Sequence, residues 1–134
     1  MKKLLYLIFI YLLFSCNSFF NQKEIKITDK YYLSWVGNPL KQDLIKKLDS
    51  NLIFQKESCI IMEYVYEVAL TDNYIFAKHK FLNYDDNDNI SVDNEVNYYS
   101  INLKNDKLLA FENEKAFNDF LKQNNITKID FNIK

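Results

Sequence analysis

Three groups of side chains in this sequence have the type and spacing to do chemistry. The first is His79, the only histidine, and hence the only imidazole for proton transfer near neutral pH or for metal ligation. A catalytic set built on it needs a nucleophile or a second base, and no other histidine or reactive-cysteine motif completes one. The expectation is a packed, hydrogen-bonded histidine beside Tyr66. The second group is Asp85-Asp86-Asn87-Asp88-Asn89. Asp85, Asn87 and Asn89 occupy the first, third and fifth positions of a calcium-loop spacing, with Asp93 at the ninth, and oxygen ligands so spaced suit Ca2+. Yet Ile90 stands where such a loop turns on glycine, and Val96 where it closes on a bidentate glutamate. A solvated loop is the favoured reading, with an ion site as its rival. The third group is the two cysteines, Cys16 and Cys59. Cys59 has no base-like neighbour and reads as a small buried hydrophobe. Gly37 is the only glycine, which rules out a glycine-rich phosphate loop.

The element that positions His79 is the stretch Tyr64 to Leu82. Two β-rich runs flank Asp72-Asn73, a pair tolerant of the positive φ used in two-residue hairpin turns. A turn there sets Leu70 opposite Ile75, Val68 opposite Ala77, Tyr66 opposite His79 and Tyr64 opposite Phe81 on one face. The other face receives Glu67 opposite Lys78, a cross-strand ion pair worth roughly 0.2–1 kcal/mol. Around this hairpin, alternation predicts a short strand at Ile25 and Ile27, another at Tyr31–Val36, and a break at Gly37-Asn38-Pro39. Leu40, Leu44, Ile45 and Leu48 follow at helical spacing, so a short helix is predicted from Pro39 to Asp49, with a strand as the alternative. Asn51–Lys56 reads as a connection, and Ser58–Glu63 feeds into the hairpin. Residues 83–97, rich in Asp and Asn, read as a long exposed loop. Asn97–Leu103 resumes alternation, Asn105-Asp106 is a turn, and Leu108–Phe111 is a short apolar run. Asn113 caps a helix whose stripe is Ala116, Phe117, Phe120 and Leu121, stopped by Asn124-Asn125. Ile129, Phe131 and Ile133 alternate with charged and polar residues as an edge strand.

Composition narrows the class. The chain has 134 residues, 49% of them hydrophobic and 16% aromatic, enough to bury a core. Its 17 basic residues are all lysine. Arginine's planar fork, the best match for phosphate, is therefore absent, and nucleic acid is a poor partner. At the N-terminus, Met1-Lys2-Lys3 is a basic segment, Leu4–Phe14 an unbroken apolar run and Ser15-Cys16 its close. Such a run is too short to span a bilayer, which takes roughly 20 residues, and suits a secretory signal.

Leu13-Phe14-Ser15-Cys16 resembles the lipobox of bacterial lipoproteins. The resemblance implies acylation of the Cys16 sulfur and cleavage after Ser15, so that residues 1–15 are signal peptide, 16–23 lipidated cysteine and tether, and 24–134 a single domain. The processed chain keeps 15 basic against 18 acidic residues and is mildly acidic. With Cys16 acylated, Cys59 has no intramolecular partner, and stability must come from packing. No acidic cluster follows Cys16, which favours a membrane-anchored, periplasm-facing protein over a surface-exported one. Thr28-Asp29-Lys30-Tyr31-Tyr32, Tyr74–His79, Tyr98-Tyr99-Ser100-Ile101 and the phenylalanine-bearing helix resemble a small family of bacterial lipoproteins of unknown function, over most of residues 28–126.

These readings predict an α+β domain: a largely antiparallel sheet of four to six strands with a C-terminal helix packed on one face. The expected function is non-catalytic, with no cofactor: a lipid-anchored envelope protein that binds another protein, one form of which is an immunity-type inhibitor. The alternative is a ligand- or ion-binding module using the Asp85–Asn89 loop or an aromatic groove.

Overall fold

Alternation over the first described residues produces an antiparallel pair, β1 (Gln22–Lys26) and β2 (Tyr31–Val36), with Ile25 opposite Leu33 and Glu24 opposite Ser34. The structure is a computed structural model, and it describes residues 22–47 and 57–134. β1 takes in Gln22 and Lys23, the last two residues assigned to the tether. After Gly37, at φ 72°, the Asn38 side chain accepts the Leu40 N–H at 3.0 Å. Pro39 then opens a single 3-10 turn, Pro39–Lys41, where a helix was expected. The chain continues as β3 (Asp43–Lys47), which pairs with β2 and with β4 (Glu57–Ile61). Leu44 enters the core while Ile45 is buried on the opposite face. A strand covered on both faces carries apolar residues in succession, and that imitates helical spacing. Leu48, Asp49 and the expected connection Asn51–Lys56 lie outside the described residues.

β5 (Val65–Leu70) and β6 (Tyr74–His79) form the expected hairpin, with Leu70 opposite Ile75, Val68 opposite Ala77 and Glu67 opposite Lys78. Lys78 Nζ lies 2.8 Å from Glu67 Oε2. Two details differ. Neither Asp72 nor Asn73 takes a positive φ. The turn closes through Thr71, whose N–H donates to the Tyr74 carbonyl at 2.9 Å and whose hydroxyl accepts the Tyr74 N–H at 3.1 Å. At the other end a β-bulge leaves Tyr66 unpaired and sets Val65 opposite His79.

Residues 83–97 are not one loop. They include most of a small ribbon, β7 (Leu82–Tyr84) with β8 (Ile90–Val92), turning through Asp85–Asn89. β9 (Asn97–Asn102) then pairs with β6, and β10 (Leu108–Phe111) with β9, after a turn in which Asp106 sits at φ 57°. Among the described residues, the strands thus divide into two four-stranded sheets, β1-β2-β3-β4 and β10-β9-β6-β5, and the ribbon. Ile27 of the β1–β2 turn and Tyr31, Leu33, Leu44 and Ile61 of the first sheet pack on Val65, Val68, Ile75, Ala77 and Ile101 of the second.

The other face of the second sheet carries the helix, so the antiparallel α+β architecture with a C-terminal helix on one face is the one observed. α1 (Glu114–Gln123) is capped by Asn113, whose side chain accepts the Ala116 N–H at 2.9 Å. It ends where Asn125 takes φ 56°, with the Ile126 N–H donating to Leu121 at 2.9 Å and the Asn125 N–H to Lys122 at 3.1 Å. That is a Schellman closure, built here on asparagine in place of glycine. Phe117 is buried against Ala69 and Phe76. The predicted final edge strand reduces to a single bridge: Ile133 exchanges two backbone hydrogen bonds with Val68, at 2.9 and 3.1 Å. Ile129 and Phe131 instead pack in the helix layer.

Candidate functional site

The chain crosses from the first sheet to the second through Met62-Glu63-Tyr64, and His79 lies beneath that crossing. The Val65 N–H donates to the Gln42 carbonyl at 2.9 Å, tying the sheets together there. Glu63 holds φ 60°, uncommon for a residue other than glycine. The Asp43 carboxylate fixes it by accepting the Glu63 N–H at 2.7 Å.

His79 is 3% exposed. Its aromatic neighbours are Phe81, edge to face at 4.8 Å, and Tyr99 at 5.9 Å. Tyr66, the neighbour expected from the sequence, is displaced by the bulge. Burial pushes the imidazole below its ordinary value, and a hydrogen bond to the Met62 backbone and the Glu63 charge only partly oppose this. Among the described residues, His79 Nδ1, Gln42 Nε2 and Asn97 Nδ2 are buried without hydrogen-bond partners, and Asn97 sits directly across from His79. The arrangement is a neutral, enclosed imidazole, suited to holding the crossing in place.

His79→Ala is expected to destabilise the protein by about 1–3 kcal/mol, through a cavity and a lost buried hydrogen bond. The pH dependence follows from the lowered value. The unfolded chain binds the proton more readily, so the histidine's contribution is complete above its ordinary pKa of 6.5 and declines as pH falls below it. Denaturant midpoints measured at about pH 7.5 and 5.5 should converge between wild type and variant toward the acid side. Equal midpoints at both pH values would remove this structural role.

Around the crossing stand four exposed apolar side chains: Met62, Phe81, Tyr84 and Val92. The ribbon presents Tyr84 and Val92, and Phe81 precedes it with its carbonyl accepting the Asp93 N–H at 2.9 Å. Lys41 Nζ lies 5.4 Å over the Tyr84 ring, and the Tyr84 hydroxyl 3.5 Å from Glu63. This end of the molecule therefore mixes apolar surface with both signs of charge.

The other sequence candidates are dispersed. Asp85 Oδ1 accepts the N–H groups of Asn87 at 2.9 Å and Asn89 at 2.8 Å, and its Oδ2 accepts the Asn89 side-chain amide at 2.8 Å. These bonds hold the Asp85 carboxyl below its usual range. The spacing that suggested oxygen ligands is used to build a turn, with amide donors facing Asp85. Asp93 is engaged by the Glu95 N–H at 3.1 Å. Among the described residues, no group of three or more His, Cys, Asp or Glu side chains stands close enough to hold a metal ion.

Cys59 is exposed, contrary to the expectation. A bulge at Ile60 breaks the alternation, so Ile61 pairs with Leu44 in the core while Cys59 pairs with Ile45 on the outer face. Crowding and the Asp43 carboxylate push its thiol up to about 11, which keeps it protonated. The aromatic groove is a cleft of about 260 Å³ between α1 and the tail, lined by Tyr98, Phe117, Leu121, Ile129 and Phe131. An open concavity of about 540 Å³ adjoins it and shares Asn118, Leu121, Ile126 and Thr127. Lys78 roofs the cleft, 4.3 Å over the Phe131 ring.

Sequence reasoning missed one cluster. Asp106 accepts the Tyr31 hydroxyl at 2.9 Å and binds Lys46 at 2.8 Å, clasping the first sheet to the β9–β10 turn. Tyr31 and Asp106 are far apart in sequence, and no local pattern joins them.

Cys16 lies outside the described residues, and no helix among those described is long and apolar enough to cross a membrane. No curated protein and no solved structure matches the chain. Residues 30–133 match the model of a family described as a protein of unknown function (DUF3997), which takes in every element from β2 to the Ile133 bridge, and the chain belongs to that family.

Proposed function

We propose that the protein is a lipid-anchored component of the bacterial cell envelope, facing the periplasm, and that it works without catalysis by binding another protein. The observation that carries the proposal is the succession of Lys2-Lys3, the apolar run Leu4–Phe14 and Ser15-Cys16 ahead of a compactly packed domain. Lipidation confines a small domain to a surface where partners are met repeatedly. Met62, Phe81, Tyr84 and Val92, exposed around the crossing, supply the contact surface, with aromatic side chains of the kind enriched at interfaces. The enclosed His79 and the protonated Cys59 fit a binding role better than a catalytic one.

Cys16→Ala tests the anchor. Wild type should incorporate labelled palmitate and sediment with membranes, and the variant should do neither. A wild-type chain that stays unlabelled with an intact N-terminus would sink the lipoprotein reading. A photo-crosslinking residue at Phe81 tests the contact surface: it should capture a distinct protein in cells, and the same probe at Asn118 on α1 should not. Equal capture at both positions would count against that surface.

A further inference from the structure

Sheet edges expose unpaired backbone groups, and proteins ordinarily protect them with charge, proline, bulges or a covering segment. The first sheet's edge strand β1 carries Lys23, Glu24 and Lys26. On the second sheet, β5 is covered where Ile133 bonds to Val68. Among the described residues, β10 has neither protection. Its sequence is Leu108-Leu109-Ala110-Phe111, without charge or proline, and no bulge interrupts its pairing.

The register fixes which groups are free. The Asn102 N–H donates to the Lys107 carbonyl at 2.9 Å, so bonded pairs recur at Ser100–Leu109 and Tyr98–Phe111. Leu108 and Ala110 therefore turn their N–H and C=O groups away from β9. Their side chains are exposed too, Leu108 at 39%, on the face that elsewhere packs on the first sheet.

We propose that β10 is a self-association edge, which pairs antiparallel with β10 of a second copy about a two-fold axis at Leu109. In that register Leu108 of each chain lies opposite Ala110 of the other, so the outward donors and acceptors of both strands satisfy one another. A large side chain meets a small one at the two Leu108–Ala110 pairs, Leu109 meets its own copy on the axis, and no like charges oppose within the strand. Two copies of the second sheet become one continuous sheet. An isologous contact of this kind is the commonest symmetry of homo-oligomers. It is also small, well under the roughly 1,000 Å² of a stable interface, so the dimer is weak and concentration-dependent.

The test is oxidative cross-linking of the full chain in whichever fraction it occupies, in a Cys59→Ser background. Leu109→Cys places thiols across the axis at a non-hydrogen-bonded pair, where Cα atoms approach to about 4.5 Å. It should form a disulfide-linked dimer at least about 10-fold faster than Asn118→Cys on α1. Adding Ala110→Pro removes only an outward N–H, which an edge strand tolerates. It should abolish the dimer while leaving the melting temperature unchanged. Equal rates at positions 109 and 118, persistence of the dimer with Ala110→Pro, or a Leu109→Cys adduct to a different protein would each overturn the proposal.

Discussion

Replacing Phe117 with alanine is expected to lower the unfolding free energy by about 3–5 kcal/mol. Phe117 is the one buried residue of α1, and its ring meets Tyr98 at 4.9 Å, Phe111 at 5.3 Å and Phe76 at 5.6 Å. Truncation leaves a cavity among these three rings. The consequence extends to the layer. A helix this short is marginal alone, since isolated helices under about 12 residues are rarely stable in water, and the packing of Ile126, Ile129 and Phe131 shares the same cluster. Denaturant unfolding should show a lower midpoint at an unchanged slope. Phe117→Leu should recover most of the loss. An alanine variant within about 1 kcal/mol of wild type would mean that the helix contributes little to holding the second sheet.

The next largest effect is expected at Asp106, where Asp106→Ala should destabilise by about 2–3 kcal/mol. Tyr31 is 1% exposed, so its hydroxyl loses the acceptor at 2.9 Å with little water to replace it. Alanine also fits the left-handed conformation at φ 57° worse than aspartate. Asp106→Asn keeps an acceptor and tolerates that conformation, so it should lose less. Lys46 and the Tyr31 hydroxyl hold the Asp106 carboxyl below its ordinary 3.8. Its contribution is therefore complete above that value and is lost as pH falls through the lower folded one. Acid unfolding of Asp106→Asn should lack this component. Identical acid limbs in the two proteins would show that the clasp is unimportant.

Where one face was buried and the pairing local, the sequence was legible. β2, the register of β5 with β6 near the turn, β9 and the capped helix all follow from alternation or a 3.6-residue stripe. The failures have physical causes of two kinds. Bulges at Tyr66 and Ile60 shift parity without altering composition, which moved His79's partner and turned Cys59 outward. Double burial at Leu44-Ile45 erased the alternation that marks a strand. Leu82-Asn83-Tyr84 and Ile90-Ser91-Val92 did carry a short alternating signal on either side of the acidic turn, and it was overshadowed by the Asp/Asn content between them. Which strands share a sheet depends on contacts distant in sequence. The Tyr31–Asp106 clasp is one of these, and nothing local announces it.

His79 and Asn97 are paired neighbours on adjacent strands, so the ribbon between them leaves the sheet and returns to the place it left. The ends of that excursion are joined whatever lies at its tip. Lengthening it adds chain entropy only logarithmically, about 0.6 kcal/mol for each doubling. Leu82 is buried at its root, while Asp85–Asn89 are exposed at the far turn. The turn is thus a natural splice point: an epitope or a fluorescent domain inserted between Asp86 and Asn87 would ride outside the sandwich, with the framework beneath it unchanged.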